Sequence, residues 1–396
     1  MAGVTKRFRQ SGAVSLFVVI FAALLLTVVT VSFVQLMIKD QRQATSSDLS
    51  QSAYDSAQAG VEDAKRLLLL NQACQSGSAA ASVNCGAVTS ALTPLAGQAE
   101  TACDTLPKSG LVGSTNKETI IQQSDTDNAA KLDQAYTCVK IKVDTDDYRD
   151  SLGVNESALI PLQAVGDFDT VVLDWFSRND ISADTTDTKV GFPTTGPDVS
   201  LPRVGEKWKF NYPSLMRTQL VQLGNSFKLS DFDDSQPGNK SNTNTLFLYP
   251  SASGLSDQDF ALDTRRSPSN MPRQVKCADS FVSSEFACRA VIKLPAPIDG
   301  SANRNAYLRL SSLYNGAHFK VSLKRGGEDV KFNGVQPEID STGRANNMFR
   351  RVKARVQLAG TFTYPEAAID LSGSLCKNFT ITDQDSGYKN SATCTP

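Results

Sequence analysis

The stretch RQSGAVSLFVVIFAALLLTVVTVSFVQLMIKDQRQ, Arg9 to Gln43, decides how the rest of the chain is read. From Ala13 to Ile38 it holds no charge, and only Ser15, Thr27, Thr30, Ser32 and Gln35 interrupt the apolar run. A helix of about 20 apolar residues crosses a bilayer, so the run is long enough to span. Lys6, Arg7 and Arg9 precede it and Lys39 and Arg42 follow it, which favours a cytoplasmic N-terminus only weakly. A cleaved secretory signal has a shorter apolar core with a small-residue site close behind. Here charge follows at once, and the A-x-A match at Ala57-Gln58-Ala59 lies far beyond the apolar end. The stretch therefore reads as a retained span rather than a discarded signal.

The helix is not expected to stop at the membrane. No Gly or Pro occurs from Ala13 to Ala59. Beyond Lys39 the residues Leu49, Ala53, Ala57, Val61, Ala64 and Leu68 recur at spacings of three and four, with Asp48, Gln51, Asp55, Glu62 and Lys65 opposite. That is one apolar stripe on a continuing amphipathic helix. Leu67 to Leu70 predicts a buried end, with Cys74 and Gly77 at the exit. At 1.5 Å per residue, a helix over 13–71 is a rod of roughly 90 Å, with 13–38 in lipid and 39–71 against a soluble partner. A simple anchor ends at the interface in a flexible linker; this one is joined rigidly to the globular part of the chain.

At 396 residues the chain can bury one or two cores. Its net charge of −1 and 20% charged residues give no bulk electrostatic reason to bind nucleic acid. The eight cysteines, Cys74, Cys85, Cys103, Cys138, Cys277, Cys288, Cys376 and Cys394, all lie C-terminal to the apolar stretch, and none forms a C-x-x-C pair. With His318 the only histidine, a zinc site lacks clustered ligands. An even count in an exported chain reads as disulfides, which puts the C-terminal side outside; free thiols in a cytosolic chain are the alternative. Spacing does not fix connectivity. Nearest neighbours give C-x10-C, C-x34-C, C-x10-C and C-x17-C as the expected pairs.

Residues 72–130 are rich in Ala, Ser and Gly, a loop-rich segment in which closing an 11-residue disulfide loop stabilises by about 3 kcal/mol. Strands dominate 131–396. Val139, Ile141 and Val143 alternate with lysines, as do Phe319, Val321 and Leu323 with Lys320 and Ser322, and Val352, Ala354, Val356 and Leu358 with Lys353, Arg355 and Gln357. Period-two alternation means one buried and one wet face. Thr170–Phe176, Thr245–Tyr249, Cys288–Leu294 and Ala306–Leu310 are further candidates, and turns such as Arg325-Gly326-Gly327 argue for antiparallel sheets. Polar loops at Ser182–Val204 and Asp231–Asn244 offer a boundary between two β subdomains. The predicted fold class is α+β: a long N-terminal helix, transmembrane then soluble, packed on an antiparallel β-rich head stapled by disulfides.

No hydrolase elbow, Walker loop, dinucleotide fingerprint or zinc-protease motif occurs. His318 falls on the polar face of its strand without an evident Ser or Cys partner. Asp144, Asp146, Asp147 and Asp150, and Asp383 with Asp385, cluster without the spacing of a calcium loop and read as solvated turns. Arg350, Arg351, Lys353 and Arg355 read as a solvated strand face rather than a DNA contact, and Trp175 and Trp208 as core. Neither a catalytic residue, a cofactor nor a metal site is assigned, and no enzyme activity or nucleic-acid partner is expected.

A basic leader, then Gly12, then an uncharged apolar helix resembles the precursor of a type IV pilin. More narrowly, the segment SAYDSAQAGVEDAKRLL, Ser52 to Leu68, is similar to the helix of PilX-type minor pilins. A weaker likeness to their terminal strands lies at IDSTGRANNMFRRVKARV, Ile339 to Val356. The resemblance implies a prepilin leader at 1–12, recognised through Lys6, Arg7 and Arg9, and a peptidase cut after Gly12 that leaves Ala13 as a methylated N-terminus. It implies residence in the inner membrane with the head outside, then a place in a pilus through helix contacts with other pilin subunits, the head free for adhesion or assembly contacts with a host or surface ligand. Most pilins carry Glu at the fifth mature position; here Phe17 stands there. Removing a buried charge suits the membrane but removes an assembly contact, which points to a minor or tip subunit. A type II secretion pseudopilin and a membrane-anchored extracytoplasmic hydrolase are the alternatives.

Overall fold

The computed structural model describes residues 12–113, 118–121, 133–181, 189–193, 199–202, 208–223, 243–260, 272–282, 284–298 and 305–358. The expectations for Lys6, Arg7, Arg9, Cys376, Cys394, Asp383 and Asp385 lie outside these residues.

Helix α1 runs unbroken over Gly12–Gln75, 64 residues with no interruption near Lys39. Two short helices come next, α2 (Cys85–Ala91) and α3 (Thr105–Lys108). The first strands are β1 (Thr119–Ile120), β2 (Gln134–Lys142), β3 (Tyr148–Leu152), β4 (Ser157–Pro161) and β5 (Phe168–Ser177). Next come β6 (Leu215–Leu223), β7 (Thr243–Ser251), β8 (Asp257–Asp259), β9 (Arg273–Lys276) and β10 (Phe286–Ile298). The last are β11 (Asn305–Leu313), β12 (Ala317–Arg325), β13 (Glu328–Val330), β14 (Glu338–Ala345) and β15 (Met348–Arg355). The result is broadly α+β, with three sheets in the head.

A four-stranded sheet ordered β1-β2-β14-β15 carries α1 on one face. Ile141, Val139, Tyr136 and Ile339 from the sheet, Leu106 from α3, and Val61, Ala64, Leu67 and Leu68 from α1 close a first core. Within 72–130, the described elements α2, α3 and β1 pack with this helix–sheet unit.

The other two sheets form a sandwich. One has the order β13-β12-β5-β10-β8, with β3 also paired to β12; the other is β4-β11-β6-β7-β9. Inward residues of both sheets fill one core, with Leu173, Trp175, Ile292, Phe319 and Val321 facing Met216, Leu246, Leu248, Leu308 and Leu310. This is the interdigitated packing that alternating strands make when two sheets face each other. Central β5 is buried over most of its length. At its end Phe176 adopts φ 64°, so that both Trp175 and Phe176 turn into the core; the Trp175 indole N–H donates to the Ser214 carbonyl at 3.1 Å.

The described strand pairs are antiparallel, as expected, with two exceptions: β7 pairs with β9 and β8 with β10 in parallel. The chain steps from one sheet to the other at each of β7, β8, β9 and β10. A chain winding round a sandwich returns to each sheet in the direction it left, so strands two apart run the same way. The disulfide Cys277–Cys288 fastens this winding, joining the end of β9 to β10 across the two sheets.

The sandwich, β3 to β13, is inserted between β2 and β14, which are neighbours in the first sheet with Lys142 opposite Glu338. The described residues flanking both predicted boundary loops, 182–204 and 231–244, lie within the sandwich, whereas the chain passes between the two cores near 143–147 and 331–337. This neck is built from the carboxylate cluster read in the sequence. Phe332 is fully buried, and its N–H donates to the Thr145 carbonyl at 2.8 Å. The Gln336 side chain brackets the Arg149 backbone, accepting from its N–H at 2.9 Å and donating to its carbonyl at 2.7 Å. Asp147 accepts from Arg149 Nε at 2.9 Å and pairs with Arg355 Nη1 at 2.7 Å.

Burial pushes the Asp147 carboxyl up, but the bonds and charges of Arg149 and Arg355 outweigh it and hold it below the usual carboxylate range. A depressed folded-state pKa contributes stability that is present above the unfolded value, about 3.9, and is lost as pH falls through the folded one. Asp147→Asn is therefore expected to lower Tm at pH 6, and the gap to wild type should close below about pH 4. A gap that stays constant to pH 2 would show that the neck does not depend on this ionisation.

Candidate functional site

The described side chains of the N-terminal half of α1, Leu16 to Ile38, are apolar and exposed almost throughout; Phe17 is 74% exposed. This half is long and apolar enough to cross a membrane. Its hydroxyls do not conflict with that: Thr27 Oγ1 donates to the Leu24 carbonyl, Thr30 Oγ1 to Thr27 and Ser32 Oγ to Val28, at 2.8–2.9 Å. Each of these three hydroxyls is thereby satisfied within the helix, which a hydrocarbon environment demands. Gly12 opens the helix and Ala13 lies in its first turn.

Beyond about residue 49 the same helix docks. Ala53, Ala57, Val61, Ala64 and Leu68 are buried along the expected stripe and Leu49 is half-buried, with Ser56, Gly60 and Leu67 buried beside them. Asp48, Gln51, Asp55, Glu62 and Lys65 are exposed on the other face. The seam is tight enough for backbone to touch backbone. A Cβ added at Gly343 of β14 would collide with the Ala53 carbonyl oxygen and the Ala57 amide nitrogen; one added at Gly60 would collide with Ser341 Oγ and sit 3.0 Å from a Val139 methyl. Small residues on the helix and glycine on the strand let α1 lie flush on the sheet. Polar ties flank the seam: Tyr136 Oη donates to Asp63 at 2.8 Å and Arg350 Nε to Ser50 Oγ at 2.8 Å. Burial, with the Asp63 bond, pushes the Tyr136 phenol well above its usual range.

Of the other sequence candidates, Cys74–Cys85, Cys103–Cys138 and Cys277–Cys288 are bonded as nearest neighbours. The basic face of β15 is occupied by carboxylates rather than open: Arg351 pairs with Asp340, Lys353 with Glu338, and Arg355 with Asp147. Among the described residues no three His, Cys, Asp or Glu side chains converge as a metal site would require. Trp175 is fully buried; Trp208 is half-buried and stacks on Tyr314 with centroids 5.1 Å apart.

His318 has a partner that sequence reading missed. Asp180, only 7% exposed in its side chain, accepts from His318 Nδ1 at 2.6 Å and from the His318 backbone N–H at 3.0 Å, while its other oxygen accepts from the Ser177 N–H and hydroxyl. The residues lie 138 positions apart, so no local motif announces them. The capping box over Ser177–Asp180 was visible as S-x-x-D and was the one available signal. The order is Ser–Asp–His, with the carboxylate in the middle. A nucleophilic triad needs the imidazole between hydroxyl and carboxylate to take the proton from the nucleophile; here the Ser177 hydroxyl bonds the carboxylate instead, and this grouping does not activate a nucleophile.

No family model, curated protein or solved structure matches the chain.

Proposed function

We propose that the chain is a minor pilin-type subunit that primes, caps or decorates a type IV pilus or related filament. On this reading it is held in the inner membrane with its head outside until assembly. The observation that carries the reading is the single uninterrupted α1, exposed and apolar in one half and fused to the head's first sheet in the other. A mere tether has no need to transmit the position of its span to its head. A subunit that stacks span against span does, because its head is placed by the packing of its helix. Apolar helices can exchange lipid for protein neighbours without stranding backbone polar groups, and Phe17 lets the N-terminal turn do so without carrying a charge.

The reading is tested by sequencing the N-terminus of the mature protein from membranes. A methylated N-terminus at Ala13 is expected. An intact leader, or a cut beyond Ile38, would refute it. Crosslinked partners then separate a pilus subunit from a type II secretion pseudopilin, which the same geometry serves equally.

A further inference from the structure

The β11–β12 hairpin loop, the 208–212 turn, the β3–β4 turn and the turn after β5 gather at one end of the sandwich. Two open clefts of about 490 Å³ and about 370 Å³ lie there side by side, sharing Ser151 and His318 in their lining. Such volumes fall in the range of ligand sites. We propose that the two clefts form one groove for a neutral glycan chain, with Phe210 as a stacking ring and His318 as an oriented hydrogen-bonding group.

Several independent features meet here. First, His318 is half-exposed yet fixed. The buried Asp180 carboxylate accepts from Nδ1, and Nε2 is left without a protein partner among the described residues. Second, Phe210 is 46% exposed on a turn that is itself fastened, because Asn315 Nδ2 donates to the carbonyls of Lys209 and Tyr212 at 2.7 Å each. Next to Asn315, Tyr314 is held at φ 72° and stacked on Trp208. A bulky residue in the left-handed region is costly and persists only where surroundings impose it. Third, the larger cleft combines the half-buried Phe281 with the polar groups of Asn179 and Ser284.

Charge and topology narrow the ligand. In the larger cleft Arg149 and Arg178 are matched in number by Asp150 and Glu285, and Arg149 is bound to Glu285 at 2.6 Å. With Asp180 of the smaller cleft included, the joined groove has one acidic group in excess, which gives no electrostatic advantage to a polyanion and little to a polycation. An added peptide strand needs an open sheet edge. β12 is covered by β3 and β5, and along β3, the outer strand, the Arg149 N–H and carbonyl are already held by the Gln336 side chain and the Ser151 N–H by Asp150. A sugar ring meets both demands of the groove: its C–H face packs on an aromatic ring, and its rim of hydroxyls both donates and accepts.

The test applies the full chain in nanodiscs to an array of neutral and charged oligosaccharides that includes cello-, chito- and xylo-series, followed by calorimetric titration with the strongest neutral ligand. Binding to neutral members is expected, with Phe210→Ala and His318→Ala each weakening it by about tenfold; Phe210→Ala should leave Tm near wild type, whereas His318→Ala should lower it modestly because the buried Asp180 carboxylate loses its Nδ1 partner. The proposal is overturned if no neutral glycan binds, if only charged glycans bind, or if neither substitution weakens binding. It also fails if extended peptides, tested in parallel, occupy the groove instead. None of these outcomes bears on the N-terminus at Ala13, so this inference and the filament reading fail separately.

Discussion

Gly343→Val is expected to detach the lower half of α1 from the head, at a cost of about 3 kcal/mol or more. The added side chain would have to enter space held by the Ala53 carbonyl and the Ala57 amide. Interiors are packed too densely to absorb such volume, and a main-chain obstacle cannot rotate away as a side chain can. The helix must therefore lift, exposing Ala57, Val61, Ala64 and their partners Val139 and Ile339. In detergent, the full-length variant should show a markedly lowered Tm and new protease cleavage between residues 50 and 70. A second substitution, Ala57→Gly, should not rescue it, because the clash is with backbone. Gly60→Ala, by contrast, meets a side-chain oxygen, so Ser341→Ala should recover part of its loss. A Gly343→Val protein with wild-type Tm would mean that helix and sheet are not in direct contact.

The disulfides should rank by loop length. On the chain-entropy account, closing the 35-residue separation of Cys103–Cys138 stabilises by about 4 kcal/mol, and closing the 11-residue separation of Cys277–Cys288 by about 3 kcal/mol. Paired alanine substitutions, with urea titration of each variant, test the order. The Cys103→Ala/Cys138→Ala protein is expected to unfold at the lower urea concentration, and its loss should be read out in the helix–sheet unit, where Cys103 leads into α3 and Cys138 lies in β2. A larger loss from the Cys277–Cys288 pair would assign the dominant role to the fastening of the two sandwich sheets instead.

The helix was legible because its determinants are local. Ala53, Ala57, Val61, Ala64 and Leu68 mark a face by spacing alone, and that face is the one buried. The three described disulfides follow the nearest-neighbour expectation, although spacing alone did not fix it. Strands such as β12 declared themselves through Phe319, Val321 and Leu323. What the strands pair with did not. The sheet neighbour of β2 begins almost 200 residues later, at Glu338, and alternation says which face is wet but not which strand lies alongside. The parallel pairs β7–β9 and β8–β10 were hidden likewise, since nothing in a short strand records a change of sheet. At the groove, Asp180 and His318 each looked ordinary in their own segments; their relation exists only after β5 and β12 have paired.

The pairing of Lys142 with Glu338 has a further consequence. Directly opposed residues of antiparallel strands lie about 5 Å apart at their Cα atoms, a gap that a two-residue reverse turn bridges. Excising 143–337 would thus leave all four strands of the scaffold with the shaft attached, at the loss of Val143 from its core and of the Asp147 and Pro337 partners of β15 and its extension. In architectural terms the sandwich is a passenger: a module carried on a chassis that closes without it, so that what this protein presents can be exchanged without redesigning how it is mounted.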